Sequence, residues 1–381
     1  MTEATITPSH PPLLPYPHSC PADGDPFVAS RPPMPRGAPS PIDGVGVLLT
    51  AYGGPSSLDE VPAYYTDIRG GRPPSPALLE ELLQRYQAIG GRSPLPAITE
   101  AQRRGLVEEL AQRRLPLPVF VGYKHSAPTV ADAVAEATRA GLRHLVVVPL
   151  APHFSTMTSC TYCQRVDAAR RERGPSFPLT YTMVADWHDE SAFVAALSRR
   201  VAAAIADWPL DQRESATPIH VLFSAHSLPE RITAQGDPYP QLLRETARLV
   251  ADHLGLTAWS FAFQSAGRTD EPWLGPDLLT QLDALATQGV RRVLVASVGF
   301  VTTNLELLYD IDIEARTHAA GLGMELRRVP ALDDDPGLVA ALADLVQRAV
   351  TGEPAASRPS ASMDEPASVK ERAAAPSSES A

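Results

Sequence analysis

The chain has 381 residues, 44 % of them hydrophobic and 20 % charged, with a formal charge of −11. That length allows two domains with sizeable cores, and the acidic balance argues against a nucleic-acid binder, whose footprint would be basic. No stretch approaches the ~20 apolar residues that span a bilayer, and no secretory leader pattern opens the chain, so the expected location is cytoplasmic. Cys20, Cys160 and Cys163 are too few and too irregularly spaced for a disulfide framework, which fits a reducing compartment. The Cys160-x-x-Cys163 pair lacks the further ligands that a zinc or iron–sulfur site wants and reads as incidental.

Residues 1–43 hold twelve prolines and no periodic apolar pattern, and are expected to be a disordered extension. Buried-strand signals then alternate with helical ones. The strand candidates are Val45–Ala51, Val119–Tyr123, His144–Leu150, Leu179–Val184, Ile219–Ser224, Trp259–Gln264, Arg292–Val298 and Glu325–Val329. Helical patterns cover Pro76–Ala88, Thr99–Arg113, Thr129–Ala140, Glu190–Ala206, Tyr239–Leu254, Asp277–Gln288, Leu305–Ala319 and Pro336–Ala349. The remaining residues, 351–381, are rich in Ala, Pro, Ser and Glu and read as a disordered tail. Strands joined through helices imply parallel sheets covered on both faces. The expected fold is α/β: two Rossmann-like doubly wound halves, 44–210 and 211–350, the second with a closing helix. Each half carries a four-stranded parallel sheet, the two are divided by the polar stretch Asp207–Pro218, and the active cleft lies between them.

Ligands of open parallel sheets bind at the carboxyl ends of the strands. Those ends carry Tyr52-Gly-Gly-Pro55, Lys124-His125, His153-Phe154, Ser224-Ala-His226, Gln264-Ser-Ala-Gly267 and Gly299-Phe300. Tyr52-Gly-Gly-Pro is too short to cradle a pyrophosphate, so a nucleotide cofactor is not expected. After the strand ending at Val298, Thr302 or Thr303 can cap a helix in which Glu306, Asp310 and Glu314 recur every fourth residue on one side. Carboxylates on a mostly apolar helix are paired, protonated or bound to a cation. Thr303-x-x-Glu306 also fits a capping box, which would give Glu306 a purely structural task. His226 follows another strand of the same half and can meet Glu306 across one crevice; imidazole and carboxylate are fitting partners for Fe²⁺ or Zn²⁺ and both accept protons. Arg69, Arg72, Arg85 and Arg92 cluster on an acidic chain, where forked guanidinium groups can hold substrate carboxylates. With Tyr52, Tyr64, Tyr86 and Tyr162 close by, they point to a flat, apolar, multiply carboxylated ligand.

The segments Leu49-Thr-Ala-Tyr-Gly-Gly-Pro55, Tyr86-Gln-Ala-Ile-Gly-Gly-Arg-Ser-Pro-Leu95, Leu150-Ala-Pro-His-Phe-Ser155, Ser224-Ala-His-Ser-Leu-Pro229, Gln264-Ser-Ala-Gly267 and Leu305-Glu-Leu-Leu-Tyr-Asp310 together resemble the ferrochelatase family, over about 44–350. The resemblance implies a lyase of haem and porphyrin biosynthesis that inserts Fe²⁺ into a porphyrin. Its bacterial coproporphyrin III branch is the nearer match, making Fe-coproporphyrin III (coproheme). By matching motif, His226 and Glu306 would be the catalytic and metal-handling pair, with Asp310 and Glu314 as further metal candidates. Tyr52, Arg69, Arg85, Tyr86, Ser93 and Tyr162 would line the porphyrin site. Fe²⁺ is then a substrate, no cofactor is permanently bound and no iron–sulfur cluster is expected; the partners are the porphyrin, Fe²⁺ and, transiently, neighbouring haem-pathway enzymes. A protoporphyrin IX ferrochelatase is the alternative within the family, and a non-catalytic tetrapyrrole- or metal-binding module is the alternative outside it. Many members carry Asp-His where this chain has Thr303-Asn304, so one family imidazole is missing.

Overall fold

The computed structural model describes residues 43–174, 177–213 and 218–352. The expected extension 1–43 and tail 351–381 lie outside these residues except for Asp43, Thr351 and Gly352, as does Cys20. Among the described residues, β1 (Val45–Ala51), β2 (Val119–Tyr123), β3 (His144–Pro149) and β4 (Thr180–Met183) form one parallel sheet in the order β2-β1-β3-β4. A second parallel sheet has the order β6-β5-β7-β8, from β5 (His220–His226), β6 (Trp259–Gln264), β7 (Arg292–Ser297) and β8 (Glu325–Arg328). These are the two four-stranded sheets read from the sequence.

The helices are α1 (Val61–Ile68), α2 (Pro76–Ala88), α3 (Leu95–Gln112), α4 (Val130–Arg139), α5 (Ser159–Arg171), α6 (Ser191–Ala206), α7 (Leu210–Arg213), α8 (Arg231–Ala234), α9 (Tyr239–Leu254), α10 (Leu278–Thr287), α11 (Arg316–Gly321) and α12 (Pro336–Thr351). None is long and apolar enough to cross a membrane.

The all-buried run of β1 follows from cover on both faces. Leu48 packs with Val130 and Val134 of α4 and Val166 of α5. Its neighbours Val47 and Leu49 point the other way, into a cluster shared with Leu106 and Leu110 of α3, Phe223 of β5 and Leu342 of α12. That cluster runs through both halves. The closing helix α12 lies against α3 and α6, and Arg113 Nη1, just past α3, is 2.5 Å from Asp344 Oδ1 of α12. The last element of the second half therefore packs on helices of the first.

Four of these helices have no counterpart in the sequence reading: the single turns α7 and α8, and the longer α1 and α5. Helix α5 opens Ser-Cys-Thr-Tyr-Cys, weak helix formers that only packing makes helical; Cys160, Tyr162, Cys163, Val166 and Ala169 supply the buried face. Helix α1 is eight residues long, too short for a periodic pattern to stand out. The Cys160-x-x-Cys163 pair sits on α5, and Cys163 is a free buried thiol 2.9 Å from the Tyr181 hydroxyl.

Candidate active site

In each sheet the first strand is flanked by strands reached in opposite directions, β1 by β2 and β3, β5 by β6 and β7. The loops leaving β1 and β3, or β5 and β7, therefore diverge and leave a crevice at their carboxyl ends. The two crevices face each other as one cleft of about 300 Å³. Tyr52, Tyr86, Ser93 and Tyr162 line it from the first half, and His226 and Glu306 from the second.

His226 is the last residue of β5. Its Nδ1 lies 2.5 Å from Ser227 O. A carbonyl only accepts, so Nδ1 carries a proton, and the lone pair of the neutral tautomer lies on Nε2. The backbone beneath is held as well: the Tyr239 hydroxyl donates to His226 O across 3.0 Å, and Ser227 N–H donates to Gln264 O across 2.7 Å. The ring stands edge-on to Phe300, with centroids 6.3 Å apart.

Glu306 sits near the start of the helix after β7. The cap there is neither Thr302 nor Thr303: Asn304 Oδ1 accepts from Leu307 N–H across 3.0 Å, while Thr303 N–H and Oγ1 are bonded to Asp333. The capping-box reading of Glu306 is thereby overturned, because the Thr303 N–H that Glu306 would accept from is already bonded to Asp333 Oδ1. No hydrogen bond or ion pair holds the Glu306 carboxylate among the described residues. Its charge is felt across the cleft, where burial first and Glu306 second raise Tyr52 and Tyr86 above the ordinary phenol value. Both tyrosines face the cleft as neutral hydroxyls.

The helix itself departs from the expected α-helix over Leu305–Ala319. From Leu307 to Ala315 it is a π-helix, and Arg316 N–H still bonds to Ile311 O, five residues back. Such segments concentrate at functional sites because the wider turn re-aims side chains. Asp310 is buried on this helix, accepting from Arg85 Nη1 at 3.0 Å and from the Ser265 hydroxyl. Burial, reinforced by Glu306, raises its carboxyl above the usual range in spite of these bonds. Glu314, one π-turn on, is exposed and raised by partial burial and by Asp310.

The predicted porphyrin residues divide. Tyr52, Tyr86, Ser93 and Tyr162 lie on the cleft wall. Gly54 makes room for Ser93, since a Cβ there would sit 2.4 Å from Ser93 Oγ. Arg69 and Arg85 are not on that wall. Arg69 stacks on Tyr65, its Cζ 5.8 Å from the ring centroid. Arg85 is engaged by Asp310 and Glu81 and lies over Tyr309 at 4.8 Å. Asp310 and Glu314 are likewise off the cleft wall.

Lys124 and His153 are cleft residues that the site assignment passed over, although both follow strand ends. Lys124 Nζ is 5.7 Å from the Tyr52 ring, and burial, helped by the Arg165 charge, pulls its pKa down to about 8. The ring of His125 lies 4.5 Å from that of Tyr52, with Nδ1 2.6 Å from Asp67 Oδ2. His153 Nε2 is 2.8 Å from Thr246 Oγ1. Burial holds His153 far below the ordinary histidine range, so it is neutral. Tyr239 enters the cleft from α9, and nothing in its sequence context marks it.

The arrangement is a slot with aromatic walls, a lone pair and a carboxylate on one side and a neutral tyrosine hydroxyl on the other. A flat apolar ring fits between such walls, with a metal or a departing proton meeting His226 Nε2 and Glu306. Comparison with known proteins agrees. The ferrochelatase family model matches residues 44–350. A ferrochelatase of Deinococcus radiodurans is 43 % identical over 306 residues, covering 80 % of this chain and 95 % of the relative. The coproporphyrin III ferrochelatase of Bacillus subtilis is 40 % identical over 306 residues, covering 79 % and 96 %. Among solved structures, SirB from Bacillus subtilis with Fe³⁺ superposes with a TM-score of 0.50 at 13 % identity, over 81 % of this chain and 96 % of that one, a likeness of fold. The chain belongs to the ferrochelatase family.

Proposed function

We propose that the protein inserts Fe²⁺ into coproporphyrin III, releasing two protons and giving Fe-coproporphyrin III. The observation that carries the chemistry is the pairing, in one cleft, of a His226 Nε2 lone pair with a Glu306 carboxylate that has no ion-pair partner among the described residues. Metallation exchanges two pyrrole N–H protons for one Fe²⁺ and changes no oxidation state. His226 Nε2 accepts a pyrrole proton or meets the entering iron, and Glu306 supplies the negative charge that favours either event. From the opposite wall, Tyr52 contributes a hydroxyl that stays protonated beside the ring. A rigid cleft can bend the flat macrocycle and expose its nitrogen lone pairs, using binding energy from the ring edge. This reading needs no resident cofactor.

Coproporphyrin as substrate is supported by its four propionates, which want cationic anchors; Lys124 is on the wall, and a relative of this name is 40 % identical. Supplying Fe²⁺ with coproporphyrin III and with protoporphyrin IX separately, and following the absorbance change, tests the assignment. Faster turnover of coproporphyrin III is expected. Preference for protoporphyrin IX would overturn the substrate, and activity with neither would leave a binding protein. His226→Ala should bind the porphyrin and fail to metallate it.

A further inference from the structure

Among the described residues the Glu306 side chain has no hydrogen bond or ion pair, so its placement follows the backbone that leads into its helix, residues 301–304. That loop is stitched to two distant residues. Asp333 accepts from Thr303 N–H at 2.7 Å through Oδ1 and from Thr303 Oγ1 at 2.9 Å through Oδ2, while its own N–H donates to Val301 O at 2.8 Å. Gln102, fully buried on α3, donates from Nε2 to Thr302 Oγ1 at 3.0 Å and to Asp333 O at 2.7 Å. The second acceptor is a carbonyl, which settles the orientation of the Gln102 amide. Asp333 sits in the left-handed region, φ 52°, a conformation uncommon for a side chain other than Asn or Asp. Gln102 belongs to the half that carries Tyr52, Tyr86 and Tyr162, and Asp333 and Thr302 to the half that carries His226 and Glu306. The brace thus joins the two halves that bound the cleft, and Thr302, which it grips, is itself a wall residue.

We infer that Gln102 and Asp333 are positioning residues for metallation: together they set the placement of Glu306 against the opposite tyrosine wall. The inference rests on the role given to Glu306 above. A misplacement near 1 Å can cost on the order of 100-fold in rate, whereas porphyrin binding draws on the whole wall and is insensitive to one carboxylate.

The test uses the full chain, Fe²⁺ and porphyrin, reading kcat, KM and porphyrin affinity by fluorescence quenching. Asp333→Gly keeps the left-handed backbone and the Val301 bond but removes the carboxylate. It should lower kcat by on the order of 10–100-fold with porphyrin affinity unchanged. Asp333→Asn, which still accepts from Thr303 N–H, should restore most of that loss. Gln102→Met, apolar and of similar length, reads the brace from its other end should the glycine variant fail to fold, and predicts the same kcat-only loss. In a Glu306→Gln background the Asp333→Gly loss should largely vanish, because it acts through Glu306. Full additivity, an unchanged kcat in both brace variants, or a loss confined to porphyrin affinity would each overturn the inference. A Glu306→Gln enzyme as active as the parent would instead sink the role of Glu306, and the inference with it.

Discussion

Arg85 Nη1 of α2 lies 3.0 Å from Asp310 Oδ1 of the π-helix, so two residues that sequence reading assigned separately, one to the porphyrin and one to the metal, are joined to each other. The pair links the helical cap of the first half to the second half. Glu81 extends it, lying 3.3 Å from Arg85 and 2.5 Å from Arg268. Tyr309 adds its ring beneath the Arg85 guanidinium. The cluster therefore clasps the two halves together off the cleft wall.

Removing one member of that pair strands the other. Asp310 is buried and Arg85 largely so, and a buried charged group left with an incomplete set of partners costs about 1–3 kcal/mol. Arg85→Ala should therefore lower unfolding stability by about that amount. Arg85→Ala combined with Asp310→Asn should recover part of it, since no stranded carboxylate remains. Urea unfolding of the three proteins checks this; equal stability of the single and double variants would show that the stranded charge is not the cost.

His188 supplies a pH-dependent contribution away from the cleft. It is buried, with Nδ1 2.8 Å from Asp186 and Nε2 3.1 Å from Glu245 on α9. Burial alone would lower its pKa, but the two carboxylates prevail and take it up to about 9 from the ordinary 6.5. A folded value above the unfolded one stabilises fully below pH 6.5 and loses that stabilisation as pH climbs through 9. The contribution is on the order of 3 kcal/mol. His188→Gln should be less stable at pH 6 and should show a shallower decline from there to pH 9. Denaturant midpoints across that range decide it, and parallel profiles would remove His188 as the source.

Lys124 gives the cleft a charge that fades within an accessible pH range. With its pKa near 8, pulled down by burial, the ammonium is largely present at pH 7 and largely gone at pH 9. Affinity for coproporphyrin III should weaken across that interval by up to about tenfold, the order of one hydrogen bond to a charged group. Lys124→Gln should bind more weakly at pH 7 and show a flatter profile. Titration of porphyrin fluorescence at the two pH values is sufficient; identical profiles would exclude Lys124 as a substrate contact.

Much of the site was legible before any coordinates. His226 closes β5 and Tyr52 follows β1, at the carboxyl ends where parallel sheets place their ligands, and the same rule reaches Lys124 after β2, which the site assignment passed over. Arg69, Arg85, Asp310 and Glu314 show where legibility stops. Local sequence says that a charge is present, but its partner is decided by elements more than two hundred residues apart, as for Arg85 and Asp310. The helix cap is similar in kind, because Thr303 has the right chemistry and is simply already engaged by Asp333.

The sequence by itself determined the alternation of strand and helix, the two parallel sheets and the ends at which chemistry gathers, because hydrophobic period and strand order act locally or through simple connection rules. It also carried the motifs of the ferrochelatase family. Only the tertiary structure decided that the helix after β7 is a π-helix, that Asn304 caps it, that α12 packs back onto α3 and α6, and that Arg85 clasps Asp310. Each of these depends on which side chains from distant segments reach one another first and best, and a hydrogen bond or ion pair once satisfied withdraws its partners from every other role the sequence would allow them.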